Sequence, residues 1–204
     1  MPHVGTTEIK SRYGIGAPYL EQWSSMAWYS DAFTLEECNI LMDTFKETET
    51  QEAVVGKTTE IELNPTQRKS DVSWIYPTGQ NLWMYDRIGH YAQEANTYRW
   101  RMDVGGFQEP LQFSHYGPDG GHYDWHLDIG QMKPSLRKLS FSLILQNADE
   151  GGELAFKTAP KEEIVPVSPG TIIFFPSYIL HKVKPVTAGN RYSIVGWLGG
   201  EHYR

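Results

Sequence analysis

Between residues 99 and 198 the chain breaks into eight short runs of β-forming residues, each closed off by turn residues. No other feature restricts the fold as much. The runs are Leu111–Tyr116, Tyr123–His126, Leu139–Gln146, Glu153–Phe156, Glu163–Val165, Thr171–Phe175, His181–Val186 and Tyr192–Leu198. The turns between them include Gly117-Pro118-Asp119-Gly120-Gly121, Asp149-Glu150-Gly151-Gly152, Ser168-Pro169-Gly170 and Ala188-Gly189-Asn190. Strands at this spacing predict an antiparallel sandwich or barrel rather than βαβ units. The expectation is a mainly β protein with N-terminal helices, its core a jelly roll over residues 99–204 with one open mouth for a small ligand.

Residues 1–98 read differently. Thr34-Leu35-Glu36-Glu37 is a capping box, with a hydroxyl at the N-cap and a carboxylate three residues on. Leu35, Cys38, Leu41, Met42 and Phe45 then recur at helical spacing, predicting a helix over 34–47. A second helix is expected from about Thr78, with Leu82, Met84, Tyr85, Ile88, Tyr91, Ala92 and Ala95 largely on one face. The polar stretch 48–73 reads mostly as loop, with one short strand at Thr59–Leu63. A loop that long inside a compact domain is usually either disordered or functional; the plain reading is a mobile surface connection, and the functional one a lid beside the barrel mouth. Residues 1–204 are thus expected to form one domain, 1–98 supplying helical support and a lid and 99–204 the jelly roll.

Composition removes several classes. The chain is 13% aromatic and 21% charged, which excludes intrinsic disorder. Its net charge of −7 gives no basic field to attract nucleic acid. No apolar run approaches the ~18 residues of a membrane span, and the opening MPHVGTTEIK lacks the apolar core of a signal peptide. Cys38 is the single cysteine and cannot form an internal disulfide, which suits a reducing cytoplasm.

Chemistry concentrates in His122-Tyr123-Asp124-Trp125-His126-Leu127-Asp128. In an extended strand His126 and Asp128 face the same way, about 6.6 Å apart. His122 and His126 lie roughly 13 Å apart in that conformation, too far to share an ion. His122 and Asp124 would alternate onto the face of His126 if the strand were regular. His181, after the apolar run Thr171–Phe175 and a turn at Pro176-Ser177, is the candidate third ligand. Two imidazoles and one carboxylate with open positions are the signature of non-haem Fe(II) oxygenases, although zinc accepts the same set. Arg191 begins the last run just past the Gly189-Asn190 turn. A hairpin of that length would return it beside the strand of His181, where a guanidinium clamps a carboxylate bidentately. His115 should face the opposite side of its strand and be structural.

The ordered set Arg68-Lys69-Ser70-Asp71-Val72-Ser73-Trp74, Gln112-Phe113-Ser114-His115-Tyr116-Gly117, Tyr123-Asp124-Trp125-His126-Leu127-Asp128, Leu139-Ser140-Phe141-Ser142-Leu143, Gly151-Gly152-Glu153-Leu154, His181-Lys182-Val183-Lys184-Pro185-Val186 and Arg191-Tyr192-Ser193 leading to Trp197 resembles the Fe(II)/2-oxoglutarate-dependent dioxygenases. The likeness covers about residues 68–198 and points to the prolyl 4-hydroxylase and PKHD-type branch. It implies a double-stranded β-helix core, with His126, Asp128 and His181 as the iron-binding triad. Arg191 then matches the residue that pairs with the far carboxylate of 2-oxoglutarate, Tyr116 a tyrosine that hydrogen-bonds this cosubstrate, Ser193 the small polar residue after the arginine and Trp197 a pocket-lining residue. The implied activity oxidises 2-oxoglutarate to succinate and CO2 while hydroxylating a C–H bond, with Fe(II) and O2 required and ascorbate a candidate reductant. The prime substrate would be a peptide, with peptidyl proline the family theme, or a small molecule. Collagen-type prolyl hydroxylases often carry lysine where this chain has Arg191. Some PKHD relatives also place a second tyrosine where this chain offers Ser140, Ser142, Leu143 and Ile144. Two rival readings keep the same barrel. A cupin-like metalloenzyme of another chemistry would have no need of Arg191, and a non-catalytic binding module would have lost a metal ligand.

Overall fold

The computed structural model describes residues 24–46, 48, 51–52, 55–57, 60–62, 66–131, 133–165 and 167–202. The reading of the first ten residues, and the ends of the strand expected at Thr59–Leu63, lie outside this set. In chain order the first half runs β1 (Ala27–Tyr29), α1 (Leu35–Lys46), β2 (Gln51–Glu52), β3 (Val55–Lys57), β4 (Glu60–Glu62), β5 (Arg68–Lys69), β6 (Asp71–Ile75) and α2 (Leu82–Ala95). The second half is β7 (Gly106–Phe107), β8 (Leu111–Tyr116), β9 (His122–His126), β10 (Arg137–Gln146), β11 (Glu150–Gly151) and β12 (Leu154–Lys157). It ends with β13 (Glu163–Ile164), β14 (Ile172–Pro176), β15 (Leu180–Val183), β16 (Val186–Ala188) and β17 (Arg191–Gly199).

Two antiparallel sheets face each other. The larger has the order β1-β14-β10-β17-β8-β6-β2, with β7 added beside β17, and the smaller runs β13-β12-β15-β9-β5. Along β8, β9, β10, β12, β14, β15 and β17 the chain alternates between the two sheets, which is the jelly roll expected from the run pattern. Alternation sorts the side chains of the large sheet. Phe113, Leu139, Phe141, Leu143, Ile172, Phe174, Ile194 and Leu198 pack outward with α1 and α2. Tyr116, Ile173 and Phe175 pack inward with Leu154, Phe156 and Val183 of the small sheet. Covered on both faces, β10 is buried from Lys138 to Leu145, with Leu139, Phe141 and Leu143 toward the helices and Lys138, Ser140 and Ser142 on the inner face.

Both helices form where their periodicity placed them. Cys38, Leu41, Met42 and Phe45 face the sheet from α1, and Met84, Tyr85, Ile88, Ala92 and Ala95 from α2. A 3-10 turn at Gly79–Asn81 precedes α2 and a π-helical turn, Asn96–Trp100, extends it. The turn before α1 docks on the barrel through the Phe33 N–H, which donates to the Gly170 carbonyl at 3.1 Å. Gly170 has φ +87°, and a Cβ there would lie 2.1 Å from the Phe33 carbonyl oxygen, so no other residue fits. The described part of 48–73 holds more strand than the one expected at Thr59–Leu63, which is present as β4. The stretch holds β2 through β5 and the start of β6, and the β3–β4 hairpin forms a two-stranded sheet of its own. The polar composition hid the other strands because they are short and lie at sheet edges.

The capping box is closed in both directions. The Glu37 N–H donates to Thr34 Oγ1 at 3.1 Å and the Thr34 N–H to Glu37 Oε2 at 2.9 Å. Arg87 of α2 donates to the same carboxylate at 2.7 Å, tying the two helices. That bond, against some burial and together with the Thr34 N–H, holds the Glu37 carboxyl below the ordinary glutamate range. A depressed carboxyl stabilises the fold fully above its unfolded pKa of about 4.3, and the gain is lost as pH falls through the lower folded value. Thr34→Ala should therefore cost about 1 kcal/mol. Glu37→Gln should lower the thermal midpoint at neutral pH and lose that deficit in acid, where the wild-type carboxyl is protonated too. A deficit that is constant with pH would assign the effect to packing.

Candidate metal centre and cosubstrate pocket

Each metal-ligand candidate comes from the small sheet or its adjoining bend. His126 ends β9, Asp128 lies in the bend after it, and His181 is in β15, directly opposite His126 in the ladder. Their ligand atoms all lie within 4.8 Å of one another. His126 Nε2 is 3.7 Å from Asp128 Oδ1, and His181 Nε2 is 3.6 Å from Asp128 Oδ2.

The imidazole tautomers follow from their neighbours. His126 Nδ1 lies 2.7 Å from the Asp124 carbonyl oxygen, and His181 Nδ1 lies 2.9 Å from that of Ile179. A carbonyl can only accept, so in the neutral ring the proton sits on Nδ1 and the Nε2 lone pair faces Asp128. Burial, reinforced by the neighbouring His181, pushes the His126 pKa down to about 3. Burial works to raise the Asp128 carboxyl, but His181, His126, the Ser140 hydroxyl and Arg137 together hold it below the ordinary range. Two imidazole Nε2 atoms and one carboxylate converging in this way fit a divalent first-row ion.

Parity along β9 is not that of a regular strand. His181 pairs with His126 and Val183 with Tyr123, so two residues of β9, Asp124 and Trp125, oppose the single residue Lys182. This bulge brings Tyr123, not His122 or Asp124, onto the side of His126. The Tyr123 ring stacks on His126 at 3.4 Å and 13°, and burial pushes its phenol up to about 12. Arg68 of β5 lies 4.6 Å over the same ring and donates to Gln112 Oε1 at 2.8 Å, bridging the two sheets. The His122 imidazole faces away, against the Gly120 and Thr66 carbonyls, and Asp124 is exposed. The expectation that these two share the face of His126 fails at the bulge. Its only local signal is an aromatic residue at odd spacing from the histidine.

Arg191 is not in a hairpin with His181. Val186–Ala188 pairs with β11, and Arg191 opens β17 in the large sheet, opposite Tyr116 of β8. The chain crosses between sheets at this turn, so Arg191 and His181 come from opposite walls of the barrel. Arg191 is 2% exposed and among the largest fully buried side chains. Its Nη1 donates to Ser193 Oγ at 2.8 Å, and its guanidinium carbon is 5.4 Å over the Tyr116 ring. Among the described residues no carboxylate pairs with it. Burial pushes its pKa down, only partly opposed by Tyr116. Gly152 makes room for this side chain. At φ +72°, a Cβ there would come within 3.1 Å of Arg191 Cδ.

Trp197 lies six residues further along β17, about 20 Å from Arg191 along the strand. Its ring stacks under the Arg137 guanidinium at 3.7 Å. The Ser140 hydroxyl meets Ser177 Oγ at 2.9 Å beside Asp128. His115 sits on the outer face as expected, between Asp71 at 3.2 Å and Asn190 at 2.8 Å, stacked on Tyr192.

Residues 111–199 match the model of the 2OG-Fe(II) oxygenase superfamily. The chain is 44% identical over 62 residues to a PKHD-type hydroxylase of Hyphomonas neptunium, and 45% identical over 62 residues to one of Prochlorococcus marinus. Each alignment spans 29% of this chain and 28% of the relative. The fold is that of a Pseudomonas putida prolyl-4-hydroxylase, with TM-score 0.68 at 21% identity over 87% of this chain and 93% of that one. It is also that of a Trichoplax adhaerens prolyl hydroxylase solved in complex with a hypoxia inducible factor peptide fragment. There the TM-score is 0.70 at 16% identity, over 86% of this chain and 83% of that one. The family match falls on the segment that carries Asp128, both histidines and Arg191, so residues 111–199 resemble the 2OG-Fe(II) oxygenase superfamily, and the sequence likeness runs to its PKHD-type hydroxylases.

Proposed function

We propose that the protein is an Fe(II)- and 2-oxoglutarate-dependent hydroxylase. The observation that carries this reading is the Arg191 guanidinium, buried with no carboxylate partner among the described residues, on the wall opposite the His126–Asp128–His181 cluster. A buried unpaired cation is costly, so the pocket is built for an anion supplied from outside. A dicarboxylate with one end at the metal and the other at Arg191 satisfies both half-sites. Ser193 orients the guanidinium, and Tyr116 lies under it with a hydroxyl suited to the same ligand. His126, Asp128 and His181 are the proposed ligands of Fe(II), which when bound supplies the redox chemistry of O2. The protein side keeps this chemistry dry: Phe156, Phe175 and Tyr123 pack round the two histidines. No acid–base residue is required.

The prime substrate is read as a peptidyl prolyl residue or a related small molecule. The PKHD-type names of the sequence relatives and the peptide in the Trichoplax complex support this class. The β3–β4 hairpin, which among the described residues forms a sheet of its own, supports reading 48–73 as a lid. The test is to supply the purified chain with Fe(II), 2-oxoglutarate, ascorbate and O2 across a panel of proline peptides and free amino acids. Succinate should form, and one panel member should gain the mass of an oxygen atom. Hydrogen exchange over 48–73 should slow only when metal, cosubstrate and that substrate are all present. No succinate above the metal-free control would sink the assignment, and exchange unchanged by substrate would sink the lid.

A further inference from the structure

Asp128 belongs to no strand, so no ladder fixes its peptide, yet a ligand set is only as good as its least constrained member. Its N–H donates to the Ser177 carbonyl at 3.0 Å, and the Ser177 N–H donates in turn to the Lys138 carbonyl of β10 at 3.0 Å. On the other side the Asp128 carbonyl accepts from Arg137 Nη1 at 3.1 Å. Arg137 cannot swing. Its Nε and Nη2 engage both oxygens of Glu109 at 2.6 and 2.7 Å, and its plane rests 3.7 Å from the centre of the Trp197 ring. Glu109 comes from the link between β7 and β8 and Trp197 from β17, so two other parts of the chain converge on the guanidinium of β10.

Resting on the reading of His126, Asp128 and His181 as the metal site, we propose that Arg137 is a positioning residue. Braced by Glu109 and Trp197, it holds the Asp128 peptide in its ligating arrangement before a metal arrives. The role needs a planar fork that reaches two partners at once, which a lysine cannot do. Electrostatics alone predicts the opposite outcome. A cation beside a metal site repels the ion, so removing it should tighten binding; removing a positioning residue should weaken it. The direction of the change separates the two.

Mn(II) is the probe, titrated into the metal-free chain and followed by the free-ion electron paramagnetic resonance signal. Arg137→Gln should weaken Mn(II) binding by about 10- to 100-fold, the usual cost of losing a residue that orients a metal ligand. Arg137→Lys keeps the charge and should recover little of it. Glu109→Gln loosens the brace and should fall between wild type and Arg137→Gln. Arg87→Gln breaks the comparable Arg–Glu pair between the helices, and should leave Mn(II) affinity at the wild-type value despite its own cost in stability. Co(II) absorption should also change shape in Arg137→Gln, because the carboxylate would no longer be held. Unchanged or tighter Mn(II) binding in Arg137→Gln or Arg137→Lys, with wild-type circular dichroism, overturns the proposal. If Arg137→Gln does not fold, Glu109→Gln and Arg137→Lys decide by the same criterion. A wild-type chain that binds neither Mn(II) nor Co(II) would overturn the metal-site reading, and the clamp with it.

Discussion

His181→Ala and Asp128→Ala should each abolish measurable 2-oxoglutarate turnover and weaken metal binding by about two to three orders of magnitude. The size follows from structural zinc sites, where roughly 10–16 kcal/mol is spread over four ligands, or about 3–4 kcal/mol for each. The loss should be larger for Asp128. It supplies the only negative charge of the set, and its carboxylate stands between the two Nε2 atoms. His126→Ala should lose as much metal affinity as His181→Ala, with an added cost in packing, because its ring stacks on Tyr123. Binding of Mn(II) by calorimetry and succinate formation are the two readouts. Turnover at the wild-type rate in any of the three variants would remove that residue from the triad.

Arg191→Met should separate stability from cosubstrate binding. Among the described residues the buried wild-type guanidinium has the Ser193 hydroxyl as its side-chain hydrogen-bond partner and no ion pair, so the fold bears the cost of desolvating a charge. Methionine is long enough to fill much of the space and carries no charge. The thermal midpoint of the metal-free, cosubstrate-free variant should therefore be equal to or higher than that of wild type. Affinity for 2-oxoglutarate should collapse by about 3–5 kcal/mol, the cost of leaving a buried charge without its partner, which is roughly two to four orders of magnitude. Arg191→Lys should fall between, since an ammonium keeps the charge but cannot offer two parallel donors. A variant with lowered stability and unchanged 2-oxoglutarate affinity would mean that Arg191 serves the core and that the cosubstrate is anchored elsewhere.

Local chemistry made a good part of this molecule legible. The capping box at Thr34 and the apolar spacing behind it specify α1 because an N-cap and a helical stripe need only neighbours within a few turns. The same holds for the strand runs of the second half, where turn residues bracket short β-forming segments. His126, Asp128 and His181 could be singled out because two of them are close in sequence and the third follows a buried strand. Arg191 was singled out by its place just past the Gly189-Asn190 turn as well as by the ordered resemblance, and Tyr116 by the resemblance alone. Of the strands between 48 and 73 only β4 was legible, within the expected Thr59–Leu63, because edge strands of two or three residues lack the length on which alternation depends.

What the residues alone determined, then, was which segments are helix or strand and which side chains can bind a metal and an anion. Tertiary structure decided which way those side chains face and which wall of the barrel carries them. Strand parity is set by a count of ladder partners on another segment. The bulge opposite Lys182 therefore brings Tyr123 to the metal cluster and turns Asp124 away, though every residue of β9 keeps its local preference. Arg191 crosses to the large sheet for the same reason: its partners are Tyr116 and the strand of Ser114, not the strand of His181. Arg137, Glu109 and Trp197 lie 28 and 60 residues apart, and only the packing of β8, β10 and β17 side by side brings one guanidinium to the carbonyl of Asp128.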